Sequence, residues 1–138
     1  MKIINQQIIN DTCEKAYLSE RKRMNYNIHE TLDEDLHKMI NAFQPETKIP
    51  VHRHLHPSRK ETYILIQGKL DIVRYNEEGY ITSRSELSKE SGNIIAEMLP
   101  GDWHTLDIKK PDTVIVEIKK GPYIPFPEID LLDVKERV

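Results

Sequence analysis

The sequence predicts a mainly β domain, a sandwich or barrel of short strands with a helical elaboration at its N-terminus. Three observations carry this expectation. Between Lys48 and Ile118 the apolar residues fall in short bursts rich in β-branched and aromatic side chains. Turn signals separate the bursts: Gly68, Asn76-Glu77-Glu78-Gly79, Ser91-Gly92, Pro100-Gly101 and Lys110-Pro111. Before Pro45 the rhythm is helical instead of alternating.

In chain order, Ile4 to Ser19 reads as a helix, with Ile8, Ile9, Cys13, Ala16 and Tyr17 on one stripe. Leu32 to Phe43 reads as a second helix: Leu32, Leu36, Met39, Ile40 and Phe43 form its stripe, Thr31 its N-cap with Glu34 three residues on. Pro45 closes it. His37 then falls on the polar face. Lys48 to His56 alternates, followed by strands at Glu61–Gln67, Lys69–Tyr75, Tyr80–Leu87, Asn93–Met98, Trp103–Ile108 and Thr113–Ile118. From Gly121 onward Pro122, Pro125 and Pro127 suggest a chain running extended over the surface. The expected organisation is one structural domain, with 1–45 packing on a barrel of 46–123 and a tail of 124–138.

Composition narrows the function. The 138 residues suit one domain, and 20 basic against 23 acidic residues, spread along the chain, leave no nucleic-acid footprint. No apolar run approaches a membrane span, and MKIINQQIIND lacks a signal-peptide core, so a cytoplasmic protein is expected. The single cysteine, Cys13, excludes a disulfide framework and a Cys-rich zinc site, and a small buried helix residue is its simplest role.

The histidines are unevenly placed. His52, His54 and His56 alternate, so on a strand they share a face, with Glu61 and His104 following at strand starts. Two or three imidazoles with one carboxylate form the ligand set of a mononuclear divalent site with open positions. Glu61 suits a ligand or a general base, and Tyr63, in phase with it, lines the same pocket as a second catalytic candidate. Arg23, Asn25, Asn27 and His29 share a face if extended, and Arg23 suits a carboxylate or phosphate. Glu117 lies opposite Val116 and Ile118, inward or outward. Tyr123 can fold over the barrel, and Trp103, out of phase with His104, packs on the other side.

His54-Leu55-His56, Glu61 and Gly68 match the spacing HxH-x4-E-x6-G of the first cupin motif. Leu99 to His104 resembles the second, P-x-G-x2-H, shortened by one residue, with Ile108 in place of the usual asparagine. The resemblance implies a cupin-type β-barrel (double-stranded β-helix or jelly roll). The chain more closely resembles the WbuC family of cupin-fold metalloproteins, through Arg21 to His29, Val51 to His54, Pro57, Lys60-Glu61-Thr62, Gly68, Pro100 to His104, and Glu117 to Tyr123. His56 and the segment after Tyr123 depart from its pattern.

General cupin spacing selects His54 and His56 as the first ligands, whereas the WbuC resemblance selects His52 and His54. The second choice is preferred, because residues on both sides support it. His56 is then a third ligand, a support for the ligands or, preferably, a rim residue. The resemblance implies a site of His52, His54, Glu61 and His104 for one divalent ion (Zn, Fe, Ni or Mn). It implies Arg23, Asn25, Asn27, His29, Glu117 and Tyr123 as substrate contacts. The expected activity is a metal-dependent isomerase or epimerase acting on a small polar or sugar-derived molecule, in surface polysaccharide biosynthesis. An Fe(II) dioxygenase and a non-catalytic sugar- or metabolite-binding module are the alternatives. The expected partners are that small molecule and a second copy in a homodimer, with no nucleic acid and no membrane.

Overall fold

The computed structural model describes all 138 residues. One helix, α1 (Gln6–Leu18), precedes eight strands: β1 (Arg23–Asn27), β2 (Leu36–Phe43), β3 (Glu61–Gln67), β4 (Lys69–Tyr75), β5 (Ile81–Ser88), β6 (Ile95–Met98), β7 (Trp103–Ile108) and β8 (Thr113–Lys120). A five-stranded antiparallel sheet has the order β1-β2-β8-β3-β6, and a three-stranded sheet the order β5-β4-β7. Between them lies the main core, in which Phe43, Tyr63 and Ile115 of the larger sheet meet Leu70, Ile72, Leu106 and Ile108 of the smaller.

The side-chain period of two decides what each strand of the larger sheet delivers. Odd-numbered residues of β1, β2, β8 and β3 point inward: Asn25, Asn27, Met39, Asn41, Ile115, Glu117 and Tyr63 all line one interior cavity. Even-numbered residues Ile40, Ala42 and Val114 point outward and pack against Ile9, Cys13 and Ala16 of α1. Asn5 caps that helix, its side chain accepting a hydrogen bond from Ile8 N at 3.0 Å. No helix of the structure is long and apolar enough to cross a membrane.

Leu32 to Phe43 is not a helix. Its last two thirds are β2, paired with β1 through Asn25↔Asn41 and with β8 through Ile40↔Val116. The apolar stripe fits both periods, and tertiary pairing chooses the strand; Leu32 and Leu36, which the helical stripe would bury, are exposed. Residues 23–43 therefore build the larger sheet instead of packing on it. His37, expected on a solvated helix face, is 1% exposed on the inner wall. Of the expected Thr31–Glu34 pair only the reverse half forms, and without a helix: Glu34 Oε1 accepts from Glu30 N at 2.9 Å and Thr31 N at 3.3 Å.

Lys48 to His56 is likewise no regular strand. It makes isolated bridges only, His52 to His104, His52 to Leu131 and Leu55 to Ser58. Pro50 and Pro57 supply no N–H to a ladder. The tail also departs from a surface chain. It turns through a short 3-10 segment at Glu128–Asp130, and Asp130 is buried at 1% exposure.

Gly68 joins β3 to β4 at φ +88°, and a Cβ there would lie 2.6 Å from the Thr113 Cα. Only glycine combines that backbone with so close an approach. Gly68→Ala is expected to lower stability by about 3 kcal/mol, from left-handed strain and overpacking together. Urea unfolding checks this, with a fall in the midpoint at unchanged slope.

Candidate metal centre and cavity

Four buried side chains, His52, His54, Glu61 and His104, bring one ligand atom each to within 4.8 Å of one another. Glu61 and His104 come from the strand starts of β3 and β7, which places a carboxylate from one sheet opposite an imidazole from the other. The His52 backbone is docked on β7 by paired bonds, His52 N to His104 O at 3.0 Å and His104 N to His52 O at 2.9 Å. His54 N donates to Pro100 O at 3.1 Å, tying the ligand loop to the Pro100-Gly101 turn.

These residues fit a divalent cation, and the hydrogen bonds say why. His52 Nδ1 lies 2.9 Å from Pro50 O and His104 Nδ1 lies 2.8 Å from Asp102 O. A carbonyl only accepts, so each Nδ1 carries the proton and each Nε2 turns a lone pair inward. His104 Nε2 then sits 3.3 Å from Glu61 Oε1, and His54 Nε2 2.7 Å from Glu61 Oε2. His54 Nε2 and Glu61 Oε2 are buried without a well-formed hydrogen bond. Buried acceptors gathered at such distances need a cation among them, a proton or a metal. Burial, then the neighbouring His104, pushes the His52 ring down to about 3. That keeps it neutral and ready to ligate. Burial opposes the charge on Glu61, but the adjoining His104 and His54 rings outweigh it and hold the carboxyl well below the usual range. Tyr63 hydroxyl donates to Glu61 Oε1 and lies 3.1 Å from His104 Nε2.

His56 does not join the cluster. The chain turns at the Leu55–Ser58 bridge, and His56 Nδ1 meets Asp130 Oδ1 at 2.9 Å with its ring half exposed. Asp130 also accepts from Arg53 Nε at 3.0 Å and from His56 N at 2.8 Å. Burial opposes the Asp130 charge, and the bonds from His56 and Arg53 outweigh it. The Arg53 guanidinium stacks 4.3 Å over buried Trp103, which is the packing role expected for that residue. This clamp seats Phe126 4.6 Å from the His52 ring and 5.3 Å from the His54 ring.

Beside the cluster opens a cavity of about 720 Å³. Its wall brings together Arg23, Asn25, Asn27, His29, Glu117 and Tyr123, the six expected contacts, with Glu61, Tyr63 and His52. Arg23 is partly committed elsewhere, donating to Thr47 Oγ1 at 3.2 Å and Lys48 O at 2.9 Å. Asn25 Nδ2 donates to Asn27 Oδ1 at 2.6 Å. Glu117 points inward, accepting from Asn41 Nδ2 at 3.3 Å, with Lys119 Nζ at 3.8 Å. Tyr123 is half exposed at the rim, and its N donates to Leu32 O at 2.7 Å. Sequence reasoning missed His37, Asn41, Lys119, Phe126 and Asp130 as parts of this region. Lys119 was accessible through its phase with Glu117; Phe126 and Asp130 lie in a proline-rich tail with no local signal.

Burial, and then the charge of Glu61, push Glu117 up to about 8. An acid whose folded value exceeds its unfolded one stabilises the fold while protonated. That contribution is full below the unfolded value, about 4.5, and is lost as pH rises through about 8. Metal-free protein is therefore expected to lose stability from pH 5 to 8, and Glu117→Gln to flatten that loss. Thermal unfolding across this range checks it.

The model for Domain of unknown function (DUF6016) matches residues 4–87, more than half of the chain. The chain belongs to the DUF6016 family. No curated protein matches it. Several solved structures resemble this chain at low identity. An uncharacterized conserved protein with a double-stranded β-helix domain from Klebsiella pneumoniae has a TM-score of 0.59 at 20% identity, covering 88% of this chain and 90% of that one. KdgF from Halomonas sp. gives 0.55 at 12% identity, covering 75% and 81%. Capsular polysaccharide assembling protein CapF from Staphylococcus aureus gives 0.58 at 18% identity, covering 86% of this chain but 32% of CapF. These likenesses establish the fold, the double-stranded β-helix of cupins. Within that fold the four-residue cluster could hold a metal ion.

Proposed function

We propose that the protein is a metal-dependent enzyme of the isomerase or epimerase type, acting on a small polar or sugar-derived metabolite. The observation that carries this reading is the cluster of His52, His54, Glu61 and His104 beside a cavity of about 720 Å³ walled by amides, imidazoles and carboxylates. A bound divalent ion would polarise a carbonyl or hydroxyl oxygen of the ligand. His52, His54 and His104 hold it, with Glu61 as the anionic ligand. Glu117 and Tyr63, in register as neighbours on β8 and β3, face the same space and move the proton. Asn41 and Lys119 orient Glu117. Asn25, Asn27 and Arg23 bind the polar substituents away from the reacting carbon.

The likeness to the WbuC segments supports a role in surface polysaccharide biosynthesis, and so does the fold shared with CapF, whose name is capsular polysaccharide assembling protein. Cytoplasmic location and a homodimer complete the proposal; exposed Ile94 and Ile95 at the β6 edge support pairing there.

The test is solvent exchange. Protein loaded separately with zinc, iron, nickel or manganese is incubated in D2O with aldoses and ketoses, and carbon-bound deuterium is read by NMR. The expected result is metal-dependent exchange that Glu61→Gln and Glu117→Gln abolish. Binding without exchange overturns the reading in favour of a binding module. Oxygen consumption with iron and ligand overturns it in favour of a dioxygenase.

A further inference from the structure

The cavity beside the metal cluster has a second charged end. Arg21 and Arg23 line it there, with Ser19 and Glu20. Arg23 is the inward residue at the start of β1, the edge strand of the larger sheet. Its Nη1 is anchored, donating to Thr47 Oγ1 at 3.2 Å and to Lys48 O at 2.9 Å. Its Nε and Nη2 make no bond within the protein, and neither is sealed from solvent. These two groups form the side of a guanidinium that grips a carboxylate or phosphate through two parallel N–H···O bonds.

No acid neutralises this guanidinium. Burial, and then the charge of Arg21, lower its proton affinity, and no carboxylate acts against them. Lys119, the remaining lysine or arginine of the wall, is placed otherwise: its Nζ lies 3.8 Å from Glu117 and 4.0 Å from Glu61. The cavity is therefore bipolar, with carboxylates beside the metal ligands, guanidiniums at the other end, and the amides of Asn25, Asn27 and Asn41 between them. A partly buried charge without a counterion costs stability that a bound anion returns. Lys48, whose carbonyl fixes Arg23, is four residues from His52, a separation of at most about 14 Å. A cavity of about 720 Å³ takes one ligand that spans such a gap.

We infer that the free Nε–Nη2 fork of Arg23, with Arg21 beside it, binds a terminal oxyanion group, phosphate or carboxylate, of a sugar-derived ligand whose other end reaches His52 and Glu61. The inference rests on the reading of the cavity as a site for a sugar-derived metabolite, and it makes that metabolite an acidic one. A clamp holding β1 to Thr47 and Lys48 does not account for the arrangement. That clamp uses one of the three nitrogens, and a neutral donor could supply its two bonds without a charge to bury. A neutral hydroxyl at the fork would accept one N–H and leave the charge uncountered. An oxyanion accepts both N–H groups and neutralises the charge at the same time. The other end of the cavity repels such a group, because Glu61 and Glu117 stand there. The two ends therefore fix the direction in which the ligand lies.

The experiment uses the full chain labelled with 15N-arginine, with and without added zinc, and follows the Nε–H signal of Arg23, assigned by its loss in Arg23→Lys. The probes are inorganic phosphate, hexose 6-phosphates, hexuronates and the parent neutral hexoses, each added alone. The expected result is a saturable shift of that signal with phosphate and with at least one hexose phosphate or hexuronate, and none with neutral hexoses. The class that binds more tightly identifies the oxyanion. Arg23→Lys, which keeps the charge and loses the fork, is expected to weaken that acidic sugar about tenfold or more by calorimetry, and its neutral parent not at all. Arg21→Gln, at an exposed side chain, is expected to weaken the same acidic sugar severalfold and serves the purpose if Arg23→Lys does not fold. A signal that no acidic sugar moves, or an equal loss of acidic and neutral sugar in Arg23→Lys, as a mere clamp of β1 would give, overturns the inference while metal binding at His104 stands. Shifts with an acidic sugar in a protein that holds no metal sustain it while the metalloenzyme reading fails.

Discussion

His104→Ala is expected to lower divalent-metal affinity by more than about 100-fold, since even partners one shell removed from a metal cost 10- to 100-fold. His104 is fully buried, its Nδ1 is fixed on Asp102 O at 2.8 Å, and its Nε2 approaches Glu61 at 3.3 Å. Alanine removes a pre-oriented ligand from the strand that also docks His52. The wild-type chain is expected to gain about 2.7 kcal/mol of stability at a hundredfold excess of metal over Kd, and the variant to lose that gain. Competition titration and thermal unfolding with and without metal measure both effects. His56→Ala is the matched control, expected to keep metal affinity because its ring serves Asp130. Equal loss in the two variants would contradict the assigned ligand set.

The second large effect lies in the tail. Asp130→Ala is expected to cost about 3 kcal/mol, the lower end for breaking a buried ion pair, because Arg53 keeps some contact with water. Asp130 takes bonds from Arg53 and His56 at once, and Leu131 bridges to His52. Without the carboxylate the segment around Phe126 loses its anchor, and the His52 and His54 rings lose the apolar cover that excludes water from them. Hydrogen exchange is expected to show lost protection at Leu131 and Leu132, and metal affinity to fall severalfold. Asp130→Asn keeps the bond from His56 N and should recover part of the stability. Unchanged protection in the alanine variant would show the tail to be held by packing alone.

The strands that carry the chemistry were legible. Glu61–Gln67, Lys69–Tyr75 and Trp103–Ile108 have the bounds expected from alternation and turn residues. In each the inward and outward sides differ enough in polarity for a period of two to be read. The face shared by Arg23, Asn25 and Asn27 was legible for the same reason. Leu36–Phe43 was not, because Leu36, Met39, Ile40 and Phe43 satisfy a helical period as well as a strand's. Only pairing with β1 and β8 resolves it. That ambiguity concealed His37, whose burial depends on the strand. The equivalence of His52, His54 and His56 failed at Pro57, where the backbone leaves the alternating path. Asp130 and Phe126 reach the site across more than 70 residues of chain, a contact that no local pattern encodes.

The central claim is that His52, His54, Glu61 and His104 together hold one divalent ion, with His56 outside the site. Anomalous diffraction from crystals of tag-free protein, recorded on both sides of the absorption edge of the metal it carries, tests this most directly. The expected result is a single peak within bonding distance of Nε2 of the three histidines and of Glu61. A peak bonded to His56, or no peak from protein equilibrated with zinc, iron, nickel and manganese, would contradict it.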